Sequence, residues 1–211
     1  TMEVLEGACV YALEKLDENL LASGSVSGSV QIWNIATGEC IQTLERYPHA
    51  VSFLVSLGNN ILASGTNDRK IKIWNITTGE CIQTLEGHTD NIGCLVSLDN
   101  DIIASGSFDD TIKIWNISTG ECMQTLKGRG WITSLVDLGE NRLASGSGNN
   151  TIKIWDIPTT AVPVAEATSS EGGGAAAATP VASAVTAVPC YSTVDKTDAT
   201  EDSSSSSDNE D

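Results

Sequence analysis

The stretch from residue 102 to residue 126, IIASGSFDDTIKIWNISTGECMQTL, recurs along the chain in near-copies. The copies are LLASGSVSGSVQIWNIATGECIQTL at 20–44, ILASGTNDRKIKIWNITTGECIQTL at 61–85 and a shorter RLASGSGNNTIKIWDI at 142–157. Each copy carries one tryptophan, and intervals of 41, 41 and 40 residues separate Trp33, Trp74, Trp115 and Trp155. A repeat of this length indicates similar supersecondary units that stack on one another.

Within each copy, the residue pattern predicts short antiparallel strands. Ile112 and Ile114 point to one face of such a strand, and Trp115 points to the other. Apolar residues on both faces indicate a sheet covered on both sides, as when small sheets stack radially. Thr-Gly pairs follow the tryptophans and end at Gly38, Gly79 and Gly120. Glycine supplies the positive φ that a tight hairpin turn needs.

These repeats resemble the WD40 family, whose members build β-propellers from radially stacked, four-stranded antiparallel sheets called blades. The resemblance covers residues 1–158 as four repeats, near 1–39, 40–80, 81–121 and 122–158. It implies an all-β fold of four blades or an incomplete propeller. The diagnostic pairs of the family are only partly kept. Gly-His occurs once, at Gly87-His88, and Trp-Asp occurs once, at Trp155-Asp156.

The resemblance also implies a structural tetrad of His, Ser or Thr, Asp and Trp, joined by hydrogen bonds. Only the third repeat has all four residue types, as His88, Ser105, Asp109 and Trp115. The other repeats have Ala8, Tyr47 and Arg129 at the His position. A His, a Ser and an Asp could also form a hydrolase triad. We favour the structural role, because the serine lies in a strand and the set follows the repeat.

The start of the chain leaves the ring closure open. Residues 2–7 align with the last strand of a repeat and have no preceding three strands. In one interpretation they pair with the last repeat and close a small ring or a sharply curved arc. In the other, the chain is a truncated part of a longer propeller, or half of a dimeric eight-bladed one. We favour the second interpretation, in which open blade edges allow a homodimer or larger assembly.

Composition limits the classes of partner. The formal net charge is -17; residues 1–160 hold 19 acidic and 10 basic side chains, and residues 161–211 hold nine acidic side chains and Lys196. An acidic surface repels phosphate backbones and anionic lipids, so we expect neither nucleic-acid nor membrane binding. No signal peptide or long apolar run is present, which predicts an intracellular protein of the cytoplasm or nucleus.

The six cysteines are predicted to be reduced, small and mostly buried side chains. Three of them recur at the repeat interval, as Cys40, Cys81 and Cys122. Because the sequence has no Cys-x-x-Cys pair or Cys/His cluster, we expect no metal site and no cofactor.

Residues 159–211 are predicted to be a disordered Ala/Thr/Ser/Pro-rich linker with an acidic, Ser-rich tail. The simple interpretation of the tail is a solubilising terminus. The alternative is phosphorylation by an acid-directed kinase, because Asp208 follows Ser205 and Glu210 follows Ser207 at a distance of three residues.

By resemblance to the family, partners dock on the top face of the propeller, around the channel mouth. The positions that line this face are Cys9, Tyr11, Val26, Ala50, Ser52, Asn67, Asn91, Gly93, Phe108, Trp131, Thr133 and Gly148. The candidates for partner binding are Trp131, Tyr11, Phe108, Asn91, Asn67, Ser52 and Thr133. Trp131 leads because it lies outside the tryptophan repeat, although it could instead fill a gap left by a one-residue deletion in its loop.

The function predicted from these features is a non-enzymatic scaffold or adaptor that binds other proteins or peptides, with no catalytic residues. Two rival classes remain. One is an enzyme that uses His88, Ser105 or Asp109. The other is a truncated segment without autonomous function, for example part of the substrate-recognition propeller of a ubiquitin ligase.

Overall fold

The computed structural model describes residues 9–44, 47–99 and 101–157 of the 211-residue chain. The regular elements of these residues are β-strands: β1 (Val10–Lys15), β2 (Leu20–Ser25), β3 (Val30–Asn34), β4 (Cys40–Thr43), β5 (Val51–Gly58), β6 (Ile61–Thr66), β7 (Ile71–Asn75), β8 (Cys81–Leu85), β9 (Ile92–Asp99), β10 (Ile102–Ser107), β11 (Thr111–Asn116), β12 (Cys122–Lys127), β13 (Ile132–Gly139), β14 (Arg142–Ser147) and β15 (Thr151–Asp156). The all-β prediction is confirmed.

The strands form four antiparallel sheets in chain order. Blade 1 contains β1–β4, blade 2 contains β5–β8 and blade 3 contains β9–β12, whereas the described part of blade 4 contains β13–β15. The predicted pairing of residues 2–7 with the last repeat falls outside the described residues, as do the linker and tail of residues 159–211. No helix of the described residues has the length and apolar character to cross a membrane.

The cores lie between successive blades. Trp115 of blade 3 packs with Ile71 and Ile73 of blade 2, and Trp74 of blade 2 packs with Val30 and Ile32 of blade 1. Each tryptophan therefore faces the preceding blade, and the apolar pair on the same strand faces the next one. This is why the sequence is apolar on both faces of that strand.

Glycines in the second strand of each blade allow this close stacking. Val51 packs on Gly24, Ile92 packs on Gly65 and Ile132 packs on Gly106, and a Cβ atom at Gly106 would overlap Ile132. The first strands β1, β5, β9 and β13 consequently lie side by side and begin at the same end of the blades. We call this end the top face.

In blades 1, 2 and 3 an asparagine directly follows the tryptophan, and the turn that comes next explains its presence. Gly38, Gly79 and Gly120 adopt φ values of 74°, 79° and 76°, as the Thr-Gly pattern predicts. The side-chain Oδ1 of the asparagine before each turn accepts hydrogen bonds from backbone N–H groups two or three residues later, at Asn34, Asn75 and Asn116. Asparagine is well suited to this role, since its short side chain caps turns.

The prediction that the cysteines are mostly buried is wrong. All five described cysteines are free thiols, but only Cys94 is buried; Cys9, Cys40 and Cys122 are exposed and Cys81 is half-buried. The repeated cysteines begin the fourth strands, which form the outer edge of each blade and are not covered by a neighbouring strand. Cys190 lies outside the described residues.

Candidate functional site

The structure brings the four tetrad residues of blade 3 together. His88 Nδ1 lies 2.8 Å from Asp109 Oδ2, and His88 Nε2 lies 2.7 Å from Ser105 Oγ. The indole Nε1 of Trp115 donates to the same Ser105 Oγ at 2.8 Å. The network thus joins the loop before β9, the strand β10, the turn after it and the strand β11. Each buried polar group of this network therefore has a hydrogen-bond partner.

The protonation states follow from burial. Burial lowers the pKa of His88 below its ordinary value, against the opposing effect of the hydrogen bond and charge of Asp109. Burial works to raise the pKa of Asp109, but hydrogen bonds from Thr111, the Thr89 N–H and His88 together hold that pKa below its ordinary value. A neutral imidazole beside a carboxylate is therefore the stable state at neutral pH.

This arrangement has the hydrogen-bond order of a hydrolase triad, but its nucleophile position is closed. The side chain of Ser105 is fully buried, and its hydroxyl oxygen accepts the indole N–H of Trp115. A hydrolytic serine must present its oxygen to a substrate carbonyl. Ser105 cannot do so while the blades are packed.

Blade 2 has a tyrosine-based version of the network. Tyr47 is buried at the His position, and its hydroxyl lies 2.9 Å from Ser64 Oγ, which also accepts the Trp74 indole N–H at 2.9 Å. The Tyr47 and Trp74 rings meet edge to face with centroids 5.7 Å apart. Burial raises the pKa of Tyr47 far above its ordinary value, so the hydroxyl stays protonated. The sequence predicts a complete tetrad in the third repeat alone; the hydroxyl group of Tyr47 was the available signal that blade 2 keeps a similar network.

Blades 1 and 4 retain the Trp–Ser part of the network. Trp33 Nε1 donates to Ser23 Oγ, and Trp155 Nε1 donates to Ser145 Oγ, both at 2.8 Å. The one bond found in all four blades is therefore the one that satisfies the indole N–H.

At the top face, the structure brings together the predicted positions within each blade. The backbone N–H of the residue that follows the second strand donates to the backbone carbonyl of the residue that precedes the first strand. The pairs are Val26 with Cys9, Asn67 with Ala50, Phe108 with Asn91 and Gly148 with Trp131, with N···O distances of 2.8–3.2 Å. In blade 2, Ser52 Oγ also donates to Asn67 Oδ1 at 3.1 Å.

Phe108 and Trp131 form an aromatic pair across blades 3 and 4. Their rings stack with centroids 5.3 Å apart and an interplanar angle of 22°. Gly93 makes room for this pair, since its Cα lies beside the Phe108 ring and the Ile132 backbone. Trp131 remains 58% exposed. Trp131 is therefore a surface residue and not the filling of a gap.

The other candidates differ in their exposure to solvent. Tyr11 is exposed at the blade 1 end, Thr133 is exposed in β13, and Asn91 is half-buried before β9. None of the twelve predicted top-face positions carries a charged side chain, and these positions include aromatic, hydroxyl and amide groups.

Two equivalent serines of blades 3 and 4, Ser107 and Ser147, differ in the hydrogen bonds they make to the described residues. In blade 3, Ser107 Oγ donates to the backbone carbonyls of Asp90 and Asn91 at 3.0 and 2.9 Å. The loop 128–131 is one residue shorter than the loop 87–91. Within the described residues, the buried Ser147 Oγ has no hydrogen-bond partner.

The sequence model of the family described as "WD domain, G-beta repeat" matches residues 38–75, 79–116 and 120–156. The chain belongs to the WD40 family. The matched segments cover more than half of the chain, and they contain the tryptophans of blades 2, 3 and 4.

Two designed proteins are similar to this WD40 chain in structure. The computationally designed Ika4 protein has 33% identity and a TM-score of 0.67, over 74% of this chain and 96% of Ika4. The computationally designed Ika8 protein has 33% identity and a TM-score of 0.65, over 70% of this chain and 46% of Ika8. The WD40 chain thus spans about half the length of Ika8. A search among curated proteins finds no match.

The opposite end of the WD40 blades carries a shallow pocket between blades 3 and 4. It is lined by Leu98, Asp99, Asp137, Gly139, Glu140, Asn141 and Ile157. Three of these side chains are acidic, but no group of three or more His, Cys, Asp or Glu residues in the described ranges is arranged to hold a metal ion.

Proposed function

We propose that this WD40 protein is a non-enzymatic interaction scaffold that binds partner proteins or peptides through its top face. The observation that carries the proposal is the Phe108–Trp131 stack, in which Trp131 is exposed and Phe108 is half-buried. Exposed large aromatic side chains are typical anchors of protein interfaces. The four tryptophans that pack the blades are accounted for by the repeat, whereas Trp131 is not.

The stack is held on a rigid base, which favours binding. The backbone N–H of Phe108 donates to the Asn91 carbonyl at 2.9 Å, and the Gly148 N–H donates to the Trp131 carbonyl at 2.8 Å. Anchors that are ordered before binding lose less conformational entropy when a partner docks. Thr133 and Asn91 supply hydroxyl and amide groups near the stack for hydrogen bonds to a peptide backbone.

Three further parts of the proposal have separate support. The buried Ser105 supports a structural tetrad over a hydrolase. The net charge of -17 supports protein partners over nucleic acids and anionic membranes. The exposed free thiols of Cys9, Cys40 and Cys122 support a reducing, intracellular compartment, the cytoplasm or nucleus.

The experiment is a selection of phage-displayed random peptides on the immobilised full chain. We expect enriched peptide families whose binding is lost with Trp131→Ala and weakened with Phe108→Ala. The matched control is Ile82→Ala, which removes a similarly exposed apolar side chain from the outer strand β8. Enriched peptides that bind Trp131→Ala as well as the wild type would contradict the top-face site, and so would a selection that enriches nothing.

A further inference from the structure

Blade 4 leaves apolar side chains exposed on the face turned away from blade 3. Ile152 and Ile154 of β15 are 81% and 57% exposed. The residues at the same positions in blades 2 and 3, Ile71, Ile73, Ile112 and Ile114, are buried against the next blade. We call this surface the trailing face. It carries the residues of an internal interface without the neighbour that covers them.

Blade 1 shows the converse on the face turned away from blade 2. Val10 is 50% exposed and Leu13 is 62% exposed, whereas Val51, Ile92 and Ile132, which match Val10, are buried against the preceding blade. Trp33 also lies on this side and is only half-buried, although Trp74 and Trp115 are fully buried. We call this surface the leading face.

The two faces are complementary in the same way as the surfaces that pack between neighbouring blades inside the stack. In each internal interface, the first-strand Val or Ile of one blade packs on the second-strand glycine of the blade before it. The trailing face keeps that glycine as Gly146, where an added Cβ atom would meet only Ser134 of its own blade. The leading face keeps the partner residue as Val10. Each face therefore has the shape that the other face needs.

We infer that a second copy of this chain covers both faces, with the trailing face of each copy on the leading face of the other. Two such interfaces join two chains into a closed ring of eight blades. Propellers contain about four to eight blades, so two copies reach the upper end of that range and three copies exceed it.

The area of the faces fits a stable dimer. Strands about 4.8 Å apart and about six residues long, at roughly 3.3 Å per residue, give each face roughly 300–400 Å². A closed ring covers four such faces, which amounts to roughly 1,200–1,600 Å² in total, the size of a standard protein interface. Since the interface is apolar and the net charge of each copy is -17, added salt screens the repulsion and does not dissociate the ring.

The test is the mass of the full chain in solution, measured by light scattering after size exclusion. We expect twice the 22.1 kDa of one chain, at low and at high salt. Ile152→Asp on the trailing face and Leu13→Asp on the leading face should each shift the mass to one chain. The matched control is Ile82→Asp, an exposed position outside both faces, which should stay dimeric. Circular dichroism checks that each variant keeps its β-structure, and Ile154→Asp and Val10→Asp replace any variant that unfolds.

A mixing experiment tests the head-to-tail arrangement. Equimolar Ile152→Asp and Leu13→Asp chains can form one intact interface, so the mixture should contain a mixed dimer that neither variant forms alone. A monomeric wild type would overturn the proposal, because the faces would then be covered by the chain itself or stay open. A dimer broken by only one of the two substitutions would also overturn it, since it would indicate a symmetric contact between like faces.

Discussion

The indole ring of Trp131 stacks on the phenyl ring of Phe108 across the boundary between blades 3 and 4, with centroids 5.3 Å apart. The two residues belong to different repeats: Phe108 directly follows β10, and Trp131 directly precedes β13. Gly93 leaves space for this contact, since a Cβ atom there would overlap the Ile132 carbonyl and crowd the Phe108 ring. An aromatic pair of this kind contributes about 0.5–1.5 kcal/mol beyond the area it buries.

We predict that Trp131→Ala has a small effect on stability and that Trp115→Ala has a large one. Trp131 is mostly exposed, so its removal should lower the free energy of unfolding by about 1.5 kcal/mol or less. Trp115 is fully buried between blades, so its removal should cost about 3–5 kcal/mol. Urea unfolding followed by circular dichroism measures both. Equal losses would contradict a surface role for Trp131.

A second prediction concerns the serines that accept the indole N–H groups. Ser105→Ala leaves His88 Nε2 and Trp115 Nε1 without their partner, and each buried unsatisfied group costs about 1–3 kcal/mol. The matched variant Ser145→Ala affects the bond of the half-buried Trp155, so a smaller loss is expected. Thermal and urea unfolding of the two variants give the comparison. A larger loss for Ser145→Ala would show that the network of blade 3 is not a stabilising one.

The third prediction is a loss of stability in mild acid that depends on His88. Because the pKa of His88 is lower in the folded protein than in the unfolded chain, the unfolded chain binds the proton first. The stabilisation is present above about pH 6.5 and is lost as the pH falls below that value. Asp109, with its lowered pKa, continues the loss at more acidic pH.

The variant His88→Tyr isolates this effect. Tyr47 shows that a tyrosine at this position can reach the strand serine, and a tyrosine does not titrate between about pH 5 and 7.5. Urea unfolding at both pH values should show a smaller pH dependence for His88→Tyr than for the wild type. Glu14 is present in both proteins, and its pKa is raised by burial, so its contribution cancels in the comparison. An unchanged pH dependence would assign the effect to other groups.

The fourth prediction compares Ser107 and Ser147, which occupy equivalent positions in blades 3 and 4 but differ in their hydrogen-bond partners. Ser107→Ala removes hydrogen bonds to two backbone carbonyls and should lower the free energy of unfolding by roughly 1–2 kcal/mol. Ser147→Ala removes a buried hydroxyl that has no partner among the described residues and should be neutral or slightly stabilising. The same unfolding measurement compares them. A destabilised Ser147→Ala variant would point to a bound water at that hydroxyl.

The sequence alone predicted the elements that depend on local pattern. Alternating apolar residues around Trp115 predicted a strand covered on both faces, and the Thr-Gly pair at Gly120 predicted a turn with positive φ. The spacing of His88, Ser105 and Asp109 predicted their network through the family resemblance. The strand and the turn repeat along the chain, so their position in one repeat determines their position in the others.

Other features were decided only by the tertiary structure. The residues next to Cys40 and Cys122 in the sequence resemble the residues that flank buried side chains. Both cysteines are nevertheless exposed, because the fourth strand forms the edge of its blade. Tyr47 replaces a histidine because its longer side chain reaches Ser64 across the packed blades, a distance that no spacing in the sequence specifies.

The end blades also show which features depend on the local sequence and which depend on the tertiary structure. Ile112 and Ile152 occupy the same position in almost identical segments, but one is fully buried and the other is 81% exposed. Strand formation and the face to which a side chain points depend on residues nearby in sequence, and the repeat determines them. Burial depends on whether another blade is present on that side, and for Ile152 that is decided by where the blade lies in the stack.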